Sequence, residues 1–351
     1  MNLDDMDRIK QLDSMDMLGH IQGLPDQLEA AYKMGLQLPL PETNGIHHVL
    51  IAGMGGSAIG ADLLARYASP LCAVPVIVHR DYELPAWAVG PHTLVIASSH
   101  SGNTEETLSA YEVAKGRNCQ TLAITTDGKL AAVARRDGLP LWMFDHHGQP
   151  AAAVGFSFGL LMAALVRLEL LPDPAKELKE TLTVLRQQQI DLEPEVPVVK
   201  NAAKRLAGQL FGRWVTILAS GYLAPVARRW KSQISELAKA WAQFEFIPEA
   251  NHNTLAGVVN PIDVLTRTVT VFLRSPSDHP RNFLRSNLTR QGFMIAGLNT
   301  DVFDAKGQSP LAHIWSSLHF GDYIAFYLAM AYGVDPTPVE ALESFKAAMR
   351  A

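Results

Sequence analysis

Gly53-Met54-Gly55-Gly56-Ser57-Ala58-Ile59-Gly60, read with Ser99-His100-Ser101-Gly102-Asn103-Thr104-Glu105-Glu106-Thr107, decides the fold. The first stretch follows the apolar run His48-Val49-Leu50-Ile51-Ala52, the second follows Thr93-Leu94-Val95-Ile96-Ala97, and each leads into a helix-like sequence. A short aliphatic run, a Gly-rich turn and a helical pattern in that order open a βαβ unit. Two such turns, one strand apart, bring backbone N–H groups and hydroxyls toward one anion. The partial positive charge of a helix N-terminus adds to them, as in many phosphate sites of α/β proteins. The pair points to a phosphate ester as ligand.

Outward from these loops the same alternation continues. Further apolar runs at Val74–Val78, Thr121–Ile124 and Leu141–Phe144 alternate with helical stretches at 58–67, 105–115 and 130–135. This predicts a parallel sheet in a domain spanning 41–150. Residues 1–40 read as a helical segment, and 151–210 as a helical connection. The alternation restarts at Val215-Thr216-Ile217-Leu218-Ala219, continues with a helix over 227–242 and a strand over 269–273, and closes with helices over 312–330 and 339–349. A second α/β domain over 211–351 follows, of similar design but without the paired Gly/Ser loops.

Alternatives for the loops remain at this level. Gly53-Met54-Gly55-Gly56-Ser57-Ala58 fits a loose G-x-G-x-x-A pattern, so dinucleotide binding is one reading, with Asp81 or Arg80 as the ribose contact. A Gly-rich turn with capping Ser and Thr is another. The dinucleotide pattern does not account for the Ser-x-Ser-Gly-Asn-Thr of the next turn.

Composition bounds the rest. The 351 residues, 48% hydrophobic and 19% charged, can bury a large core, and the length suits about two domains of roughly 150 residues. Thirty Lys plus Arg against thirty-five Asp plus Glu give a net charge of −5 with no basic block, which argues against a nucleic-acid partner. Cys72 and Cys119 lack disulfide-framework or metal-ligand spacing, so reduced, buried thiols in a cytoplasmic protein are expected. The acidic start Met1-Asn2-Leu3-Asp4-Asp5 has no apolar core of a signal peptide. The uncharged run Gly148 to Val166 falls short of the ~20 strongly apolar residues of a membrane span and reads as a buried helix. The pairs His47-His48 and His146-His147 are not at i, i+4 spacing with carboxylates, so no metal is expected.

With these segments in view, the chain resembles the sugar isomerase (SIS) fold, and within it the bifunctional phosphoglucose/phosphomannose isomerase family. The helix Ala227-Arg228-Arg229-Trp230-Lys231-Ser232-Gln233-Ile234-Ser235-Glu236-Leu237-Ala238-Lys239, the loop Pro248-Glu249-Ala250-Asn251-His252-Asn253, and Gly321-Asp322-Tyr323 followed by Gly333-Val334-Asp335-Pro336-Thr337-Pro338 and Lys346 carry the narrower match. The resemblance implies two SIS-type α/β/α sandwich domains with parallel sheets, flanked by helical segments. It implies an aldose–ketose isomerase that interconverts glucose 6-phosphate or mannose 6-phosphate with fructose 6-phosphate, with a phosphorylated hexose as substrate and no cofactor. A carboxylate base must then move a proton between C1 and C2. Glu236 takes that role, with Glu249 as the alternative. His252 becomes the ring-opening acid/base, donated across a homodimer interface with its tautomer fixed by Asn251 and Asn253, and Lys346 assists at the ring oxygen. Gly55, Gly56, Ser57, Ser99, Ser101 and Thr104 hold the phosphate, the hydroxyls doubling as helix N-caps.

The chain departs from that family at four positions. Ala151 stands after Gly148-Gln149-Pro150 where the family carries an arginine, His100 replaces a tyrosine, Thr254 a glutamate and Ala325 a serine. Loss of the arginine removes a cation from the place where enediolate charge develops. A sugar-phosphate-binding protein with weak or altered isomerase activity is therefore the alternative. The sequence does not fix the preferred C2 epimer.

Overall fold

The apolar runs of the first half assemble into one parallel sheet, and those of the second half into another. The computed structural model describes residues 2–42 and 45–349. Met1, Thr43, Asn44, Arg350 and Ala351, which include the ends of the expected segments 1–40 and 211–351, lie outside it. In chain order the helices are α1 (Met6–Leu12), α2 (Met17–Gln22), α3 (Leu24–Gly35), α4 (Gly55–Ala68), α5 (Glu105–Gly116), α6 (Gly128–Arg136) and α7 (Val154–Arg167). They continue with α8 (Ala175–Leu192), α9 (Ala202–Leu210), α10 (Ala224–Leu237), α11 (Ile262–Leu265), α12 (Pro280–Ile295), α13 (Pro310–Tyr332) and α14 (Glu340–Ala348). The strands are β1 (His48–Ala52), β2 (Val76–His79), β3 (Thr93–Ser99), β4 (Gln120–Thr125), β5 (Leu141–Met143), β6 (Trp214–Ala219), β7 (Ala242–Phe246), β8 (Thr268–Arg274) and β9 (Asn299–Asp304).

Two compact units result, one of residues 23–178 and one that combines 1–22 with 179–351. Helices α1 and α2 thus fall in one unit and α3 in the other, and α7 is separated in the same way from α9.

The unit of residues 23–178 holds the sheet β2-β1-β3-β4-β5, with all neighbours parallel. β3 is buried along its whole length, as expected when helices cover both faces of a parallel sheet. On one face Leu50, Ala52 and Val95 pack with Ala110 and Ala114 of α5, and Ala97 and Ala123 pack with Leu130 and Ala134 of α6. On the other face lie α4 and α7. The run expected to be a buried helix is α7: Pro150–Arg167 is long and apolar enough to cross a membrane, yet 78% of it is buried inside the structure. Its small residues explain the fit. A Cβ on Gly159 would sit 2.7 Å from Ala31 Cβ of α3, and one on Gly60 of α4 would sit 2.6 Å from Ser157 Cβ. Cys72 and Cys119 are free and half-buried rather than fully buried.

The second unit repeats the plan with the parallel sheet β7-β6-β8-β9. One face packs Leu218 and Phe272 against Phe293 of α12 and Ile247. The other meets α10, which lies on α13. There the Trp230 indole donates to Ser317 O at 2.9 Å and sits where a Cβ on Gly321 would have to be. Strands β7 and β9 replace what the sequence reads as the end of a helix and a connection. Both are edge strands whose polar residues, Gln243 and Glu245 or Asn299 and Asp301, mask the strand pattern.

Candidate functional site

In sheets of order 2-1-3-4-5 the chain reverses direction between β1 and β3, and ligands bind in the crevice beyond the carboxyl ends of those two strands. Both Gly/Ser loops lie there. β1 runs into Gly53-Met54 and then α4, whose first residue, Gly55, has φ +51°, a left-handed value that favours glycine. A Cβ on the next residue, Gly56, would lie 2.4 Å from Pro150 O and 3.3 Å from Ala151 Cα. The loop and the segment 150–151 therefore touch, and only glycine permits the contact.

The four hydroxyls expected to cap helices do something else. Ser57 Oγ accepts from His100 N at 3.2 Å, tying the two loops together. Ser99 Oγ lies 3.0 Å from Thr104 Oγ1 and accepts from Gly102 N at 3.1 Å. Ser101 Oγ accepts from Asn103 N at 3.3 Å. Neither α4 nor α5 receives a side-chain cap, because the hydroxyls are used within and between the loops. Their first N–H groups are left to a ligand or to water, the arrangement an anion site requires. Ser57 and Ser99 are buried, whereas Ser101 is exposed.

Beside these loops two histidines meet that are far apart in sequence. His100 Nε2 lies 2.9 Å from His146 Nδ1, and their rings meet edge to face. Phe144 and Phe156, stacked with centroids 4.9 Å apart, flank them. Burial lowers the His100 pKa below the ordinary histidine value. Sequence alone raises His146 only as a metal ligand; its pairing with His100 depends on tertiary packing.

The second unit has the corresponding strand order, with β6 and β8 at its reversal point. Gly221, after β6, has φ +53°, close to Gly55. The turn after β8 carries a carboxylate, however: Ser275 N donates to Asp278 Oδ2 at 3.0 Å, and a Cβ on Gly221 would lie 2.7 Å from Asp278 Oδ1. A negative side chain thus stands where the first unit presents hydroxyls and N–H groups.

Chemistry in this unit gathers instead around Glu236, in the last turn of α10. It lines a cavity of about 890 Å³ together with Lys231, Lys239, Trp241, Asp335 and Val339. Burial raises the Glu236 pKa above the usual carboxylate value, and Arg229, Lys231, Lys346 and Lys239 pull against that rise. Four cations around one carboxylate fit a group that must ionise in a partly dry place. Lys239, with φ +52°, closes α10: its ammonium donates to the carbonyls of Glu236 (2.9 Å), Leu237 (3.3 Å), Asp335 (2.7 Å) and Pro336 (3.1 Å). In sequence Lys239 is only a neighbouring charge, and its four-carbonyl clamp is not legible there.

Lys346, on the wholly exposed α14, is thus among the charges acting on Glu236. His252 is exposed and does not line this cavity. Asn251 and Asn253 bond elsewhere: Asn251 Nδ2 donates to Thr289 Oγ1 at 2.6 Å and Asn253 Nδ2 to Glu249 Oε1 at 3.1 Å. They hold the loop rather than the imidazole. Among the described residues, no group of three or more His, Cys, Asp and Glu side chains is arranged to hold a metal ion.

The two reversal-point sheets, with the Gly/Ser loops on the first, define a SIS-domain protein. Residues 44–151 match the SIS domain, and residues 199–349 match the bacterial phospho-glucose isomerase C-terminal SIS domain. A solved structure of a hypothetical protein from Thermus thermophilus is similar in fold, with a TM-score of 0.72 at 16% identity over 98% of this chain and 93% of that chain. The bifunctional phosphoglucose/phosphomannose isomerase of Caldicellulosiruptor bescii is 41% identical over 94% of this chain and 98% of its own length. That of Aquifex aeolicus is 32% identical over 85% and 89%. The chain belongs to the bifunctional phosphoglucose/phosphomannose isomerase family.

Proposed function

We propose that this protein interconverts glucose 6-phosphate and mannose 6-phosphate with fructose 6-phosphate in the cytoplasm. The observation that carries the reading is Glu236, a carboxylate raised in pKa by burial, set in a cavity and surrounded by cations, in a chain so similar to isomerases of that name. The loops at Gly55, Gly56, Ser57, Ser99, Ser101 and Thr104 hold the phosphate through hydroxyls and helix N–H groups. His252 opens the sugar ring by moving a proton between the ring oxygen and the C1 hydroxyl. Glu236 then takes the proton from C2 of the open aldose and returns it to C1. The enediolate between these steps carries negative charge, and the positive groups around Glu236, Lys346 among them, favour it.

The place of His252 supports a dimer. It is exposed on a loop that continues into exposed apolar residues, Val259 and Ile262, and α12 adds Leu288, Met294 and Ile295. An apolar surface of this kind on a globular chain marks an interface. A second copy seated there would bury it and carry His252 to a neighbour's substrate.

The test is a coupled assay with fructose 6-phosphate that follows glucose 6-phosphate and mannose 6-phosphate separately. Glu236→Gln should lower kcat by about 10²- to 10⁴-fold, the range general-base catalysis supplies, with little change in phosphate-ester binding. A protein that binds fructose 6-phosphate and converts it to neither product would instead be a sugar-phosphate-binding protein, the outcome that Ala151 in place of the family arginine favours.

A further inference from the structure

We infer that His100 and His146 form a proton-accepting pair that couples phosphate-ester binding at the Gly/Ser loops to uptake of one proton. The inference rests on the phosphate reading of those loops and extends it. The two facing nitrogens, 2.9 Å apart, must share a single hydrogen, since two N–H groups or two lone pairs would repel at that distance. The neutral pair is thus one imidazole donating to another. A further proton makes an imidazole–imidazolium pair, whose hydrogen bond is charge-assisted and stronger.

The surroundings oppose that charge while the loops are empty. Phe144 and Phe156 pack on the rings, and burial is the cause of the lowered His100 pKa. The other segments meeting the pair leave it without an anionic partner. Ser57 of α4 and Thr126 after β4 contact the His100 backbone through their hydroxyls. Asp127 and Lys129, also after β4, are exposed, as are Asp145 and His147, which pair with each other at 3.2 Å. Asp62 of α4 pairs with Arg80, and Glu105 at the start of α5 accepts from the Tyr82 hydroxyl at 3.2 Å, with the exposed Glu106 next to it.

A dianion at the loops changes this balance. His100 lies between Ser99 and Ser101, and its own N–H is bonded to Ser57, so its ring is attached to the backbone that would hold the phosphate. His146 lies on the segment that leads to Pro150, whose carbonyl abuts Gly56. Negative charge there favours the protonated pair, with the proton drawn from solvent. The pair supplies, on demand, one positive charge to a phosphate site otherwise built from neutral donors.

Calorimetry with glucitol 6-phosphate, which has no carbonyl and cannot turn over, tests this in buffers of different ionisation enthalpy. Near pH 7.5 the ligand is already a dianion, its second pKa being about 6, so it contributes little proton exchange of its own. The wild-type protein should take up a substantial fraction of a proton on binding. His100→Gln and His146→Asn, each placing an amide nitrogen near the nitrogen it replaces, should abolish the uptake and weaken binding most at low pH. Uptake unchanged in both variants, or no uptake in the wild type while binding still needs Ser99, overturns the pair's role and leaves the phosphate site standing. Binding indifferent to Ser57→Ala and Ser99→Ala overturns the phosphate site, and the pair's role with it.

Discussion

Arg229 and Asp322 form a two-point ion pair inside the second unit, Nε to Oδ1 at 3.1 Å and Nη2 to Oδ2 at 2.9 Å, with 2% and 4% of their side chains exposed. The pair joins α10 to α13 and sets Arg229 among the cations acting on Glu236. Removing one partner strands a buried charge. Arg229→Met should cost about 3–5 kcal/mol in urea unfolding, whereas the double change Arg229→Met with Asp322→Leu should recover most of it. Equal losses in the single and double variants would show that packing, not charge, holds the two helices.

The raised pKa of Glu236 makes a prediction about pH. Its folded value lies above its unfolded one, so its contribution to stability is complete below the unfolded pKa and disappears as pH rises through the folded one. Glu236→Gln should therefore stabilise the protein at neutral pH and lose that advantage in acid. On activity the same shift moves the acid limb of kcat/KM upward. Lys231→Met removes a charge that opposes the shift and should move the limb further toward neutral pH. A limb that stays in place would remove Glu236 from the role of base.

Gly55 and Gly56 separate two uses of glycine. A side chain at Gly55 meets open space but an unfavourable backbone, so Gly55→Ala should cost about 1–2 kcal/mol with KM little changed. At Gly56 a methyl would collide with the Pro150 carbonyl, and the segment carrying Ala151 would have to move. Gly56→Ala should cost about 1–3 kcal/mol and also raise KM for fructose 6-phosphate. Similar KM values in the two variants would dissociate the 150–151 segment from phosphate binding.

The order of strands and helices was largely legible because parallel strands buried on both faces, such as Leu94–Ala97, leave continuous apolar runs, and the loops between carry Gly and Ser. Edge strands were not: Asn299–Asp304 is too polar to register, and Ala242–Phe246 follows directly on a helical pattern. Single site residues were legible where a loop or helix end determines them, as with Ser57 and Glu236. What depends on side chains converging from distant segments was not. The bond between His100 and His146 spans 46 residues, and the reach of Lys239 to Asp335 spans 96. Even Asn251 and Asn253, adjacent to His252, bond to partners the sequence does not indicate.

His319 provides the test of acid stability. It is fully buried on α13, with Nε2 3.3 Å from Ile21 O and Nδ1 3.5 Å from Gln188 Nε2, and with its ring edge to face with Tyr323. The neutral tautomer with its proton on Nε2 fits both contacts, and burial lowers its pKa from 6.5 to about 4. The unfolded chain therefore binds a proton there at higher pH than the folded one. The stability associated with the neutral ring is complete above pH 6.5 and is lost as pH falls toward 4, a difference of roughly 3 kcal/mol for a shift of this size. His319→Gln keeps a neutral donor at the site and cannot titrate. Urea unfolding from pH 7.5 down to pH 4.5 should show the wild-type protein losing stability faster than the variant, the carboxylates common to both cancelling in the comparison. Parallel curves would mean that His319 accepts a proton without leaving its place, and that acid unfolding begins elsewhere.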